Sequence, residues 1–366
     1  MARKLKWDRW LFVTTLALVV VSIVMVFSAS KVLAAEKYGQ PNLFLIKQAM
    51  FAVVGVGAML VAMRVDYERY RDPRVVVPIL VLSFVALVAV LFIGPKINGT
   101  RRWFGVAGVG IQPSELAKFA MILFAAVVLE QRISRLQDPK ALVPIAVVLV
   151  PTLLLIMRQP DYGSSVVVLA IVLVMVIAAG LPMRHLAVLG VPVLLLIAGA
   201  AVWEPYRVRR LLAFWNPWEH RFGDGFQVVQ SLIAVGTGGV TGRGLGYGVQ
   251  KLFYLPYPHT DFIFAVVSEE LGLIGASAML IGFCIITWRG LKTALHAPDA
   301  FGSFLALGLT TMIAVQAFVN ISVVLGLLPT KGITLPFISA GGSSLVMSLA
   351  GMGVLLNISQ RASATS

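Results

Sequence analysis

The acid in this chain best placed to do chemistry is Asp261, in Pro258-His259-Thr260-Asp261-Phe262-Ile263-Phe264-Ala265. The stretch closes a long polar loop and opens an apolar run that continues toward Thr287. A carboxylate is thereby expected where water gives way to hydrocarbon, and an ionisable group in such a place is functional by default. A plainer reading makes Thr260 a helix N-cap and Asp261 a first-turn acid favoured by the helix dipole. Within reach of a substrate hydroxyl, the same carboxylate can take a proton as a general base. His259 reads as an orienting neighbour rather than a second base.

Other ionisable groups fall at membrane depth. Glu115 and Lys118 are three residues apart, so they share a helix face and can pair, with Ser114 as a helix cap. A structural ion pair accounts for them. Asp161 follows Gln159-Pro160 at the head of another apolar run. Glu269 and Glu270 lie on the helix that Asp261 opens. Glu269 stands ~12 Å along the axis and ~80° round from Asp261, too far to share its proton. Both glutamates read as supporting acids that face the bundle interior.

The elements that must position these groups are membrane helices. The chain is 59% hydrophobic and 13% charged, with mean hydropathy +0.91. A soluble domain of this length cannot hide so much apolar surface. The formal charge of +14 is spread over short loops, which fits membrane topology and anionic lipid rather than nucleic acid. Cys284 is the single cysteine, so no intramolecular disulfide can form. The basic stretch Met1 to Trp10 reads as the lead-in to a retained first helix.

Apolar runs of spanning length place helices near 10–32, 43–63, 74–94, 114–131, 141–157, 163–181, 185–203, 260–288, 302–327 and 336–358. The expected fold is an all-α polytopic membrane protein of about ten helices. It forms one domain over 1–366, with a large extracytoplasmic loop, 204–259, before the eighth span. Arg3, Lys4, Lys6, Arg9, Arg64, Arg69, Arg71, Arg74, Arg132, Arg135, Lys140, Arg289, Lys292 and Arg361 gather on one face, which predicts cytoplasmic termini.

The opposite face is basic too. Lys96, Arg101, Arg102, Arg158, Arg207, Arg209, Arg210, Arg221, Arg243 and Lys251 are expected there. An anionic ligand, phosphate above all, would explain them, and simple solvation is the alternative. The long loop carries Tyr206, Phe214, Trp215, Trp218, Phe222, Phe226 and Tyr254, which suit a headgroup interface. Phe226 to Val235 reads as a short amphipathic helix with Phe226, Val229 and Ile233 on one face. The glycines from Gly236 to Gly246 allow positive φ and close backbone approach to a ligand, though the run is no Walker motif.

These residues together resemble the SEDS family (shape, elongation, division, sporulation). The resemblance rests on Pro258 to Phe264 with Glu269-Glu270-Leu271-Gly272, and on Leu328-Pro329-Thr330-Lys331-Gly332-Ile333-Thr334-Leu335-Pro336-Phe337-Ile338-Ser339. Gly341-Gly342-Ser343-Ser344, Arg102-Trp103, Gln112-Pro113-Ser114-Glu115 and Gln159-Pro160-Asp161 extend it along the whole chain. Phe214-Trp215-Asn216-Pro217-Trp218 and Val249-Gln250-Lys251-Leu252 are closer to the FtsW branch of the family than to the RodA branch. Ala340 and Tyr257 depart from the pattern, at positions where a tyrosine and a small or acidic residue are usual.

The resemblance implies a peptidoglycan glycosyltransferase of the bacterial cytoplasmic membrane that joins lipid II units into a glycan strand, with inversion and release of lipid pyrophosphate. Asp261 is then the catalytic residue. Arg101, Arg102, Arg210 and Lys331 are expected to contact phosphate, Trp103 to pack on sugar or lipid, and Ser343 to bind substrate. Glu115, Lys118, Asp161, His259 and Glu269 are expected in support. The leaving pyrophosphate calls for these cations or for a divalent metal, Mg2+ or Mn2+. No organic cofactor is expected. The implied partners are lipid II, the growing strand, a class B penicillin-binding protein, other proteins of the division or elongation machinery, and membrane lipids. One alternative is a lipid II flippase, but no internal repeat of the kind transporters carry is visible. A scaffold that only anchors division proteins would leave Asp261 beneath a basic loop unexplained.

Overall fold

A computed structural model describes residues 7–97, 99–106, 109–135, 138–182, 190, 199, 209, 212–330 and 332–365. Helix dominates, because backbone groups in a bilayer must be satisfied within their own segment. Among the described residues the α-helices, in chain order, are α1 (Arg9–Tyr38), α2 (Leu43–Arg64), α3 (Pro73–Ile93), α4 (Pro113–Arg132), α5 (Val143–Arg158), α6 (Tyr162–Ala178), α7 (Phe226–Gly238), α8 (Ile263–Leu295), α9 (Ala300–Val324) and α10 (Gly342–Thr365). A small antiparallel hairpin, β1 (Phe104–Val106) with β2 (Val109–Ile111), lies between α3 and α4.

Seven helices among the described residues are long and apolar enough to cross a membrane, which makes this a multi-pass membrane protein. They are α1, α2, α3, the stretch Lys140–Arg158 that contains α5, and α8, α9 and α10. The expected fourth span is α4, whose 20 residues include Glu115, Lys118, Glu130 and Arg132. The expected sixth is α6, of 17 residues. The expected seventh, 185–203, falls outside the described residues except at 190 and 199.

Local chemistry sets the helix ends. Asp8 caps α1 by accepting the N–H groups of Trp10 and Leu11, and Gly39 stops the helix at φ 67°. Asp299 caps α9 through the N–H of Gly302 and also takes the Tyr67 hydroxyl at 2.5 Å. Asp8 pairs with Arg289, and its backbone N–H donates to Ser359 Oγ. Arg361 pairs with Asp66, and Tyr67 N–H donates to Asn357. These contacts gather the start of α1, the end of α10 and the α2–α3 and α8–α9 turns at one end of the bundle.

Helices α2 and α10 pack closely because glycines face the seam. A methyl group on Gly353 would stand 2.3 Å from the Met59 carbonyl oxygen, and one on Gly55 would meet Leu349 at 2.6 Å. Without a hydrophobic drive between helices in lipid, such close backbone approach is what holds them together.

The main departure from expectation lies in α8. It is not one span from 260 to 288 but two helices joined at Gly272, whose φ of 65° and ψ of −163° only glycine adopts readily. Outward-facing apolar side chains begin just past the break, at Leu273 and Ile274, while residues 263–270 are buried in protein. A break of this kind frees backbone groups that no water can reach. The glycine-rich segment after α7 satisfies them. Arg243 and Gly244 N–H donate to the carbonyls of Glu269 and Glu270, each at 3.0 Å. Leu273 and Ile274 N–H donate to the carbonyls of Gly239 and Val240, at 2.9 and 3.2 Å. The close backbone approach that this glycine run allows is made to α8 at Gly242. A methyl on Gly242 would lie 2.1 Å from the Glu270 carbonyl oxygen, so the segment admits no larger residue there.

Helix α7 buries Val228, Val229, Ser231 and Ala234, not the expected Phe226–Val229–Ile233 face. Its contacts come from two sides, and Ser231 donates to the Val324 carbonyl at the end of α9. Glu269 and Glu270 complete the join. Glu269 accepts from the N–H groups of Val249 and Gln250 at 2.8 and 3.1 Å, with Arg243 3.7 Å away. Glu270 accepts from Lys251 Nζ at 2.5 Å, from Ser28 Oγ at 2.7 Å and from Gly246 N–H at 2.9 Å.

Glu270 and Lys251 are both buried, so removing one partner strands the other's charge. Lys251→Met should cost about 3–5 kcal/mol of stability, and adding Glu270→Gln should restore most of it. Thermal unfolding in detergent, followed by tryptophan fluorescence, measures both. Equal losses in the single and double variants would mean that the pair is not coupled.

Candidate active site

Asp261 sits on neither the N-cap nor the first turn of α8. That helix begins at Ile263, with Phe262 at the N-cap position and no side-chain cap. Asp261 instead lies in a turn closed by the N–H groups of Thr260 and Phe262, both donating to the Tyr257 carbonyl. The N-cap reading of Thr260 and Asp261 therefore fails, and helix termination does not account for the acid.

A second segment, from Gly332 to Gly341, runs alongside this turn and is bonded to it. Ala340 N–H donates to the His259 carbonyl at 2.9 Å, and Ser339 Oγ donates to the Thr260 carbonyl at 2.6 Å. Asn320 Nδ2, reaching from α9, donates to the carbonyls of Asp261 at 2.8 Å and Ile333 at 2.7 Å. A methyl on Gly332 would stand 3.1 Å from Asp261 Oδ2, so the backbone there passes close to the carboxylate. Asp261 itself is half-buried.

The same segment meets a polar cluster at the head of α6. Gly163 packs so tightly on Ile333 that a methyl there would come within 2.5 Å of its side chain. Asp161, buried, caps α6 through Ser164 N–H and accepts from Ser164 Oγ and Gln112 Nε2, each at 2.8 Å, and from Ser114 Oγ at 3.2 Å. Ser343 accepts from Gln112 N–H at 3.2 Å. Glu115 and Lys118 pair at 2.8 Å, one turn into α4. The structure thus brings Asp261, His259, Ser343 and Asp161 to one end of the bundle around the segment 332–341. Glu269 stands apart, on the face of α8 that receives the glycine-rich segment.

Several of the expected anion-binding cations are already engaged. Arg101 donates to the carbonyls of Leu91 and Phe92, closing the end of α3. Arg102 donates to the carbonyls of Gln159 and Pro160 at 2.8 and 2.7 Å. Arg209 pairs with Asp224, Arg243 with Glu269 and Lys251 with Glu270. Much of the basic surplus at this end thereby answers carboxylates and helix carbonyls of the chain itself. Trp103 packs over the hairpin, 3.1 Å from where a methyl on Gly110 would sit. Arg210 and Lys331 lie outside the described residues. Among the described residues no three His, Cys, Asp or Glu side chains group closely enough to hold a metal ion.

Asn320 and Ser339 were not singled out from sequence for a role. Asn320 could have been, since an amide in the apolar run of α9 must find partners for its N–H groups.

His259 packs its ring on Phe44, with centroids 4.6 Å apart. Its Nδ1 is buried without a hydrogen-bond partner among the described residues. Burial pushes the imidazole down from 6.5 to about 4, so it is neutral at pH 7. The unfolded chain takes up the proton first as pH falls. Stability is therefore full above about pH 6.5 and declines as pH drops toward 4. His259→Phe should remove that part of the decline. Unfolding midpoints measured from pH 7.5 to 4 test this, and an unchanged slope in the variant would dismiss it.

The chain matches known proteins over its full length. The family model described as a cell cycle protein, of FtsW, RodA and SpoVE type, covers residues 9–364. Stage V sporulation protein E of Bacillus subtilis is 44% identical over 359 residues, 98% of each chain. A probable peptidoglycan glycosyltransferase FtsW of Geobacter sulfurreducens is 42% identical over 357 residues, 97% of this chain and 96% of that one. Among solved structures, a chain from a peptidoglycan synthase complex that coordinates polymerization and crosslinking aligns with a TM-score of 0.80 at 32% identity, covering 98% of this chain and 99% of that one. The rod shape determining protein RodA of Thermus thermophilus aligns at 0.71 and 29% identity, covering 97% of each. With the family's pattern running from α1 to α10, this chain belongs to the FtsW/RodA/SpoVE family of cell cycle proteins, the SEDS family.

Proposed function

We propose that this protein is a peptidoglycan glycosyltransferase that polymerises lipid II into glycan strands at the outer face of the bacterial cytoplasmic membrane, in cell division. The observation that carries the reading is Asp261, a half-buried carboxylate whose own carbonyl is held by Asn320 and whose neighbours Thr260 and His259 are bonded to the 332–341 segment. Relatives of 42% identity over nearly the whole chain carry the glycosyltransferase name.

In the reaction, an acceptor sugar hydroxyl attacks the anomeric carbon of the donor from the side opposite the lipid pyrophosphate. The new carbon–oxygen bond forms as the bond to the pyrophosphate oxygen breaks, which inverts the centre. The hydroxyl proton passes to Asp261, and the pyrophosphate leaves with its negative charge. Arg102, Arg210, Lys331 and a cation carried by the phosphates would stabilise that charge. Ser343, at the head of α10, is assigned to substrate binding. A class B penicillin-binding protein is the proposed partner, because one solved relative comes from a peptidoglycan synthase complex.

Asp261→Asn keeps the shape of the side chain and removes the base. Polymerisation by purified protein on lipid II should fall by roughly 10²–10⁴-fold, with the fold intact. Near wild-type strand synthesis by this variant would refute the assignment. Detergent-solubilised protein has no second compartment, so any strand synthesis there also separates a polymerase from a flippase.

The proposed orientation has both termini in the cytoplasm and the loop 204–259 outside. In a Cys284→Ser background, Glu219→Cys should react with a membrane-impermeant thiol reagent added to intact cells, and Arg69→Cys should not. The reverse pattern would invert the topology.

A further inference from the structure

We infer that Asn320 is a positioning residue for Asp261, holding the carboxylate at a fixed distance from the 332–341 segment. The inference rests on the base role proposed above. Asn320 lies near the end of α9, 2% exposed, in a helix otherwise dominated by apolar residues. Its single amide nitrogen spans two strands of chain, with Asp261 O at 2.8 Å and Ile333 O at 2.7 Å. One of those carbonyls belongs to the acid itself. The other belongs to the neighbour of Gly332, whose backbone passes close to Asp261 Oδ2.

The geometry argues against a purely structural role. Asn320 Oδ1 is buried with no hydrogen-bond partner among the described residues. An idle buried acceptor is a desolvation cost that a leucine would not carry. The Ser339–Thr260 and Ala340–His259 bonds already join the same two segments, so Asn320 is not needed merely to keep them together. What it adds is a bond at residue 261 itself, from a rigid helix. Displacing a catalytic group by about 1 Å can cost ~10²-fold in rate.

The test is Asn320→Leu, which removes both donors and the idle oxygen at similar volume. Its melting temperature in detergent should fall only modestly, because the loss of the idle oxygen offsets part of the cost of leaving the Asp261 and Ile333 carbonyls without this donor. Lipid II polymerisation should lose about 10–100-fold in kcat with KM little changed. In an Asp261→Asn background, Asn320→Leu should cause no further loss, since its effect passes through the carboxylate. Multiplying losses in the double variant, or unchanged turnover in Asn320→Leu alone, would overturn the inference while leaving Asp261 as base. Near wild-type activity in Asp261→Asn would instead remove the base assignment, and this inference with it. If Asn320→Leu does not fold, Asn320→Ser, which is too short to reach either carbonyl, is held to the same outcomes.

Discussion

The structure depends on satisfying backbone groups where a membrane helix is broken. An unpaired N–H or carbonyl away from water costs several kcal/mol. At Gly272 the chain leaves helical geometry inside the bundle, and the carbonyls of Glu269 and Glu270 lose their partners along the helix. Residues 239–244 supply backbone donors and acceptors in their place. The two glutamate side chains then bind the continuation of the same segment, up to Lys251. The first half of α8 can therefore be buried entirely in protein, and the turn that carries Asp261 rests on it instead of on lipid.

Polar groups elsewhere follow a division of labour. At the end that holds the start of α1 and the end of α10, pairs such as Arg289 with Asp8 and Tyr67 with Asp299 close helix turns. Along the middle, small residues let α2 and α10 approach each other. At the opposite end, buried acids, amides and hydroxyls join short segments into a rigid frame, with Asp161 at the head of α6 and Asn320 near the end of α9. A functional site built from turns is only as well placed as the bonds that hold those turns. Here the bonds are many, and they lie in buried or partly buried ground.

Helix existence was legible in the sequence because apolar runs of about twenty residues have few other fates. Asp161 could be read at the head of α6, and the Glu115–Lys118 pair on one helix face, from spacing alone. The break in α8 was not legible. Residues 260–288 are mostly apolar, and Gly272 is one of three glycines in the run, a residue common in membrane helices. The glycine-rich segment looked suited to a ligand because positive φ and close approach are the same requirement whether the neighbour is a phosphate or another stretch of backbone. The pairing of part of the basic surplus was not legible either, since sequence counts charges but does not show that Arg243 and Lys251 face Glu269 and Glu270. Asn320 was passed over because hydropathy averages dilute one amide among many aliphatic side chains.

The way α8 is completed has a bearing on how the protein is made. Gly242 is synthesised 30 residues ahead of Gly272. At about 5–20 residues per second, the interval is a few seconds. The segment that fills the break therefore leaves the ribosome before the break exists. When the second half of α8 enters the bilayer, its first free N–H groups meet carbonyls already delivered. Ser28 of α1, older still, is waiting for Glu270. The order of these pieces along the chain is the order in which a membrane protein without water to lend hydrogen bonds would need them.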